Sequence, residues 1–241
     1  EIKTLANNMK LSQSALAKKI GSMRESNPML GLRGCRLGIV FPEIYRMQVR
    51  AIIEAACKLV KKGGKVFPEI MIPLVGHVNE FKTVRDEIVA VAHEVIEKAG
   101  VKLPYKIGTM IELPRAAITA DEIALEADFF SFGTNDLTQT TFGLSRDDAG
   151  SFLSDYLENG VLEKDPFVTI DQTGVGPLVK IAIEKGRSVN PDLHLGVCGE
   201  HGGDPASIEF FHTLGLDYVS CSPYRVPTAI LSAAQASIKH R

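Results

Sequence analysis

Apolar residues along this chain follow two rhythms. Short, near-continuous apolar runs predict strands at residues 35–40, 65–73, 105–111, 129–133, 193–198 and 218–222. Between them apolar residues recur at helical spacing. The stretch 44–62 carries Met47, Ala51, Ile52, Ala55, Ala56, Leu59 and Val60, and 79–99 carries Phe81, Val84, Ile88, Val91, Ala92 and Val95. Gly63-Gly64 and Gly100 read as their stops. Stretches 115–126, 174–190 and 205–215 complete the helical series. The first thirty residues also read as helix, with Ser12 as N-cap and Asn27-Pro28 as the end. Residues 143–173 are the least regular, a long loop with one or two helical turns at 151–159.

Apolar runs without alternation are the signature of strands buried on both faces, as in parallel sheets covered by helices. Repeated strand-then-helix units imply right-handed crossovers and an α/β fold with a parallel sheet. Six strands are too few for an eight-stranded barrel. The sheet is therefore either open or the later part of a barrel whose first strands lie upstream.

Composition narrows the function. Hydrophobic residues make up 45% and charged residues 23%, which excludes a disordered or collagen-like chain. Twenty-seven basic against 29 acidic side chains give a net charge of −2, leaving no basic footprint for nucleic acid or an anionic membrane. Trp is absent and aromatics are only 7%, which removes a base-stacking platform. No apolar run approaches the roughly 20 residues that span a bilayer. Glu1-Ile2-Lys3-Thr4-Leu5 does not read as a signal peptide. The cysteines at 35, 57, 198 and 221 form no Cys-x-x-Cys pair, so free thiols in a reducing cytoplasm are expected.

Ligands of parallel α/β sheets bind at the C-terminal ends of the strands, and several reactive residues fall there. Glu112 and Asp136 each close an apolar run on strands adjacent in sequence. Two hard carboxylates so placed would suit Mg²⁺, with waters and substrate oxygens completing the shell. Alternatively Glu112 pairs with Arg115 and Asp136 caps the next helix. Gly133-Thr134-Asn135-Asp136 offers backbone N–H groups to an anion, or is an ordinary capping turn. Cys198 enters Gly199-Glu200-His201-Gly202-Gly203, and its thiol reads as nucleophile, proton donor or packing residue. His201 reads as its partner or as a surface histidine. Arg33, Arg36, Arg146 and Arg225 suit carboxylate or phosphate recognition, or form surface salt bridges.

Four ordered motifs together resemble the phosphoenolpyruvate-utilising enzyme family. They are Asn27-Pro28-Met29-Leu30-Gly31-Leu32-Arg33-Gly34-Cys35-Arg36-Leu37-Gly38, Gly108-Thr109-Met110-Ile111-Glu112-Leu113-Pro114-Arg115-Ala116, Ser131-Phe132-Gly133-Thr134-Asn135-Asp136-Leu137-Thr138-Gln139 and Cys198-Gly199-Glu200-His201-Gly202-Gly203-Asp204-Pro205. The resemblance runs from about Asn27 to the C-terminus. It is strongest to the member that converts ATP, pyruvate and phosphate to AMP, phosphoenolpyruvate and diphosphate.

The resemblance implies a parallel (β/α)8 TIM-type barrel, here incomplete, with about six of its eight strands and the N-terminal strands missing. Residues 1–241 would then be a C-terminal fragment that binds pyruvate or phosphoenolpyruvate with Mg²⁺. Nucleotide-binding and phosphohistidine domains would lie elsewhere in the same polypeptide, and a homodimer is expected. Glu112 and Asp136 match metal ligands. Gly133, Thr134, Asn135 and Asp136 match the substrate-contacting turn, Cys198 the proton donor and Arg33 a substrate-gripping arginine. Arg146 sits where some members bind phosphate, and Tyr218, Ser131 and Glu200 match positions behind the contacting residues. Two further substrate arginines of the family fall on upstream strands, so the chain alone is expected to be catalytically incomplete. The alternative readings are a related phosphotransferase of the same family (a phosphoenolpyruvate synthase or an enzyme I-like protein), a Mg²⁺-dependent lyase or aldolase of 2-oxo acids, and a non-catalytic dimerisation module.

Overall fold

The computed structural model describes residues 2–22 and 28–240. Two units divide the chain, Glu1–Arg33 and Gly34–Arg241. The first holds helices α1 (Ile2–Asn8) and α2 (Gln13–Ser22) and a 3-10 turn at Pro28–Leu30. Ser12 caps α2 as expected, its Oγ accepting the Ala15 N–H at 3.1 Å. The expected single helix is broken between Asn8 and Gln13, where Lys10 takes a positive φ of 57°. Asn27, the expected helix end, lies outside the described residues.

The second unit is an α/β fold on a five-stranded, all-parallel sheet in the order β1-β2-β3-β4-β5. The strands are β1 (Glu69–Ile72), β2 (Lys106–Ile111), β3 (Phe129–Gly133), β4 (His194–Cys198) and β5 (Tyr218–Val219). Helices α3 (Cys35–Val40) and α4 (Pro42–Lys61) precede β1, and α5 (Val78–Ala99) joins β1 to β2. Short helices α6 (Pro114–Ile118) and α7 (Ala120–Ala124) lead to β3. After β3 come α8 (Thr134–Phe142), α9 (Leu153–Glu158) and α10 (Val175–Val189), then β4, α11 (Pro205–Thr213), β5 and α12 (Val226–Lys239).

One strand expectation is corrected. The first predicted strand, 35–40, is helix α3, so the described residues contain five strands rather than six. A six-residue apolar run does not by itself distinguish a strand from a buried helical turn. Here Gly34 decides. It adopts φ 57°, a left-handed value open to glycine, and the next N–H, of Cys35, is donated to the Pro73 carbonyl at 3.0 Å. A β-carbon on Gly34 would sit 2.9 Å from Leu74 Cβ. The chain thus enters α3 with Cys35 and Gly38 buried one helical turn apart and Ile39 and Val40 outside.

The predicted helix 115–126 is split at Thr119, whose φ of −112° and ψ of 29° leave the helical region. Helix α5 starts on a capping box. His77 Nδ1 accepts the Asn79 N–H at 3.0 Å, and Glu80 Oε2 accepts the His77 N–H at 2.9 Å. Helix α12 has no counterpart in the sequence reading, although Pro227 in its first turn is a start signal.

Register places the two sheet faces. Ile70, Ile72, Ile107, Thr109, Ile111, Phe130, Phe132, Leu195, Val197 and Val219 share one face. The core lies there, against Val84, Ile88 and Val91 of α5 and Val175, Val179 and Ala182 of α10. The opposite face carries Glu69, Met71, Lys106, Gly108, Met110, Phe129, Ser131, Gly133, His194, Gly196, Cys198 and Tyr218. It is more polar, and the candidate chemistry sits at its C-terminal rim.

Candidate active site

The site is built on the aligned ends of β2, β3 and β4. Gly133 is in register with Cys198, and Met110 with Ser131. Glu112 follows β2 directly and is 2% exposed. Its Oε1 accepts the Leu74 N–H at 2.6 Å. Leu74 is buried at a φ of 58°, a conformation that costs a bulky side chain about 1–2 kcal/mol. The Leu74 carbonyl accepts the Cys35 S–H at 3.1 Å, so this strained residue is tied on both sides.

Glu112 leans over Gly133. A β-carbon there would lie 2.5 Å from Glu112 Oε2 and 2.6 Å from Met110 Sδ. Glycine is needed at this point for close approach, which lets the carboxylate face the turn Gly133-Thr134-Asn135-Asp136. Asp136 stands in the first turn of α8. Arg115, the alternative partner weighed for Glu112, gives its Nη1 hydrogen bond to the Gly76 carbonyl.

The turn is laced to the loop after β4. Thr134 Oγ1 lies 3.2 Å from the Cys198 carbonyl oxygen and 2.7 Å from His201 Nδ1. Asn135 Oδ1 accepts the Glu200 N–H at 3.4 Å. Gly199, at φ 108°, passes Asn135 so closely that a β-carbon would lie 3.0 Å from Asn135 Oδ1. His201 is neither a surface residue nor the hydrogen-bond partner of the thiol. It is fully buried between Thr134 and the Pro166 carbonyl.

Burial pushes the Cys198 thiol above its usual range, the Ser131 hydroxyl opposes this by hydrogen bonding, and the charges of Glu112 and Asp136 add to the rise. Ser131 also hydrogen-bonds Tyr218, whose phenol is raised mainly by burial. A thiol so placed stays protonated at neutral pH and is a weak nucleophile but a competent proton donor. Burial lowers His201 below its usual value, so the ring is neutral.

The arginines separate. Arg33 belongs to the first unit, where its Nη1 lies 3.3 Å from Met29 Sδ. Arg146 and Arg225 bracket Glu200 at 3.7 and 3.9 Å, exposed pairs of small energetic weight. Among the described residues no cluster of three or more His, Cys, Asp or Glu side chains could hold a metal ion. Two carboxylates, hard oxygen donors that leave the rest of the shell to water and substrate oxygens, are nevertheless a fitting donor set for Mg²⁺, whereas a zinc-type cage would need more protein ligands. The sequence reading did not anticipate the Leu74 N–H, Met110 or the burial of His201. No helix among the described residues is long and apolar enough to cross a membrane.

A family model described as PEP-utilising enzyme, PEP-binding domain matches residues 7–238. The chain is 56% identical to pyruvate, phosphate dikinase of Clostridium symbiosum over 98% of its own length and 27% of the relative's. It is 58% identical to the Rhizobium meliloti dikinase, covering 100% of the chain and 27% of the relative. The chloroplastic dikinase of Flaveria bidentis is 57% identical over 98% of the chain and 25% of the relative. The chain thus spans about a quarter of the length of the curated relatives it matches. A citrate lyase crystal structure from Burkholderia xenovorans is similar in fold alone, with a TM-score of 0.51 and 16% identity, covering 78% of this chain and 53% of that one.

Proposed function

The chain belongs to the phosphoenolpyruvate-utilising enzymes, as their phosphoenolpyruvate-binding domain, and on that premise we propose that it is the pyruvate/phosphoenolpyruvate site of a pyruvate, phosphate dikinase. The whole enzyme would form phosphoenolpyruvate from pyruvate, using a phosphohistidine that ATP and phosphate charge elsewhere in the polypeptide. Its five-stranded sheet would be part of a (β/α)8 barrel, and the working form a homodimer.

One observation supports the reading above the rest. Gly133, over which Glu112 leans and from which the turn carrying Asp136 starts, is in register with Cys198, so a carboxylate pair and a buried thiol gather at one strand-end site. Glu112 and Asp136 would hold Mg²⁺, with Glu112 oriented by the Leu74 N–H. When bound, the ion supplies positive charge that makes the pyruvate methyl group more acidic and steadies negative charge on oxygen. Gly133, Thr134 and Asn135 would contact the substrate. Cys198 would move the proton. When phosphoenolpyruvate is consumed, the S–H proton passes to C3 of the enolate of pyruvate and leaves a thiolate. In the forward direction that thiolate takes a methyl proton, and the enolate oxygen is then free to attack phosphorus in line.

The test is exchange of pyruvate methyl protons with solvent, followed by NMR in the full-length protein with Mg²⁺. Cys198→Ala should stop the exchange while phosphorylation of the remote histidine by ATP continues. Wild-type exchange rates in Cys198→Ala would make Cys198 a packing residue and sink the mechanism.

A further inference from the structure

His201 carries more structure than a residue three positions beyond a reactive thiol requires. It is 0% exposed, and each ring nitrogen has one partner. Nε2 lies 2.8 Å from the Pro166 carbonyl oxygen. A carbonyl only accepts, so Nε2 bears the hydrogen. The neutral ring then offers a bare Nδ1, which accepts the Thr134 hydroxyl proton at 2.7 Å. The same hydroxyl lies 3.2 Å from the Cys198 carbonyl, so one proton is shared, nearer the imidazole. The ring is fixed in one tautomer and joins three segments that are far apart in sequence. These are the loop before α10 at Pro166, the turn that opens α8 at Thr134, and the loop that leaves β4 after Cys198.

We infer that His201 is a positioning residue, which sets the Cys198 thiol against the Thr134–Asp136 turn by fixing the Thr134 hydroxyl and the loop that follows the thiol. This rests on the reading of Cys198 as proton donor and of Asp136 as metal ligand. The ring takes no part in proton transfer, because Nε2 gives its hydrogen to the Pro166 carbonyl and Nδ1 is occupied by the Thr134 hydroxyl, which leaves neither nitrogen open to substrate. Gly202 reinforces the constraint. A β-carbon there would collide with the Ser220 carbonyl, so the loop is packed on the segment that leaves β5 as well.

The distinguishing substitution is His201→Gln. A glutamine amide has a donor and an acceptor about as far apart as the two imidazole nitrogens. It can bridge Pro166 and Thr134 but cannot shuttle a proton. His201→Leu removes both hydrogen bonds. In the full-length protein with Mg²⁺, two quantities are measured: oxalate affinity by calorimetry and the rate of pyruvate methyl proton exchange across pH. His201→Leu should slow exchange by ~100-fold, the effect of a misplaced reactive group, and leave oxalate affinity within about threefold of wild type. His201→Gln should restore exchange to within about threefold, with the wild-type pH profile. Thr134→Val should slow exchange as His201→Leu does. It stands in for that variant if His201→Leu does not fold. A fast His201→Leu or Thr134→Val, or a His201→Gln as slow as His201→Leu, overturns the inference. A wild-type protein that neither binds oxalate with Mg²⁺ nor exchanges protons overturns the functional reading itself, and this inference with it.

Discussion

The phenol ring of Tyr218 lies over the α-carbon of Gly196 on the neighbouring strand, in the space where a β-carbon would stand. The same ring stacks on His194, with centroids 5.1 Å apart and an interplanar angle of 29°. β5 is only two residues long, so this side-chain contact supplements a very short ladder. Gly108 and Phe129 repeat the arrangement between β2 and β3, where a β-carbon on the glycine would meet the Phe129 ring 2.5 Å away. On this face a large side chain from one strand is received by a glycine on the next.

Gly196→Ala should therefore destabilise the protein by about 1–3 kcal/mol through overpacking. Tyr218→Leu in the same background should recover part of the loss, because the two positions are in contact and not additive. Urea unfolding of the four members of the cycle checks this. A Gly196→Ala protein as stable as wild type would show that the ring moves aside freely.

Glu112 holds the Leu74 N–H and, as proposed, a metal ion, and two substitutions separate the two duties. Glu112→Gln keeps an oxygen for the Leu74 N–H. Glu112→Ala leaves that buried donor unpaired, at a cost of about 1–3 kcal/mol in unfolding free energy. Both variants should lose Mg²⁺-dependent oxalate binding. Wild-type oxalate affinity in either one would remove Glu112 from the metal site.

Much of this site was legible in the sequence, for a physical reason. In a parallel sheet the strand ends are where apolar runs stop, so Glu112, Gly133, Asp136 and Cys198 mark themselves by position. The runs at 129–133 and 193–198 became β3 and β4 with little change of boundary. The run at 35–40 is also largely apolar but became α3, because the positive φ of Gly34 and a hydrogen bond to distant Pro73 direct the chain there. Contacts that depend on register between remote segments left no local trace. Leu74 meets Glu112 across 38 positions, and Thr134 meets His201 across 67. A histidine in a glycine-rich loop looks exposed until the segment carrying Pro166 is known to cover it.

Stability in alkali should report on Cys35. Its thiol is raised from the usual 9.0 to about 12, chiefly by burial and then by the charge of Glu80. The folded-state value lies above the unfolded one. The contribution is therefore complete below about pH 9 and is lost as pH climbs from 9 towards 12. Tyr45, raised from 10.0 to about 12 by burial and by Cys35, adds to the slope above pH 10. Urea midpoints measured at intervals from neutral pH to about pH 11 should fall more gently in Cys35→Ala than in wild type. Parallel curves would mean that the thiol does not titrate in this window.

The remaining prediction concerns the outer edge of β1. In the sheet order β1 pairs only with β2, so its other edge has no strand beside it among the described residues. Around that edge Met71 is 37% exposed, Phe67 73% and Ile52 of α4 44%. An accessible parallel edge flanked by apolar side chains is a template for another strand. The 241-residue chain should therefore associate with rising concentration, and Met71→Lys should suppress this by placing a charge where a second edge would dock. Unfolding free energy should change by no more than about 0.5 kcal/mol, since Met71 is not part of the core. A second apolar surface needs its own control. Ile230 and Leu231 of α12 are 66% and 59% exposed, and Ile230→Lys should leave the edge association unchanged. Sedimentation velocity over a concentration series separates the two routes. If Ile230→Lys dissociates the chain and Met71→Lys does not, association runs through α12 and the β1 edge is inert.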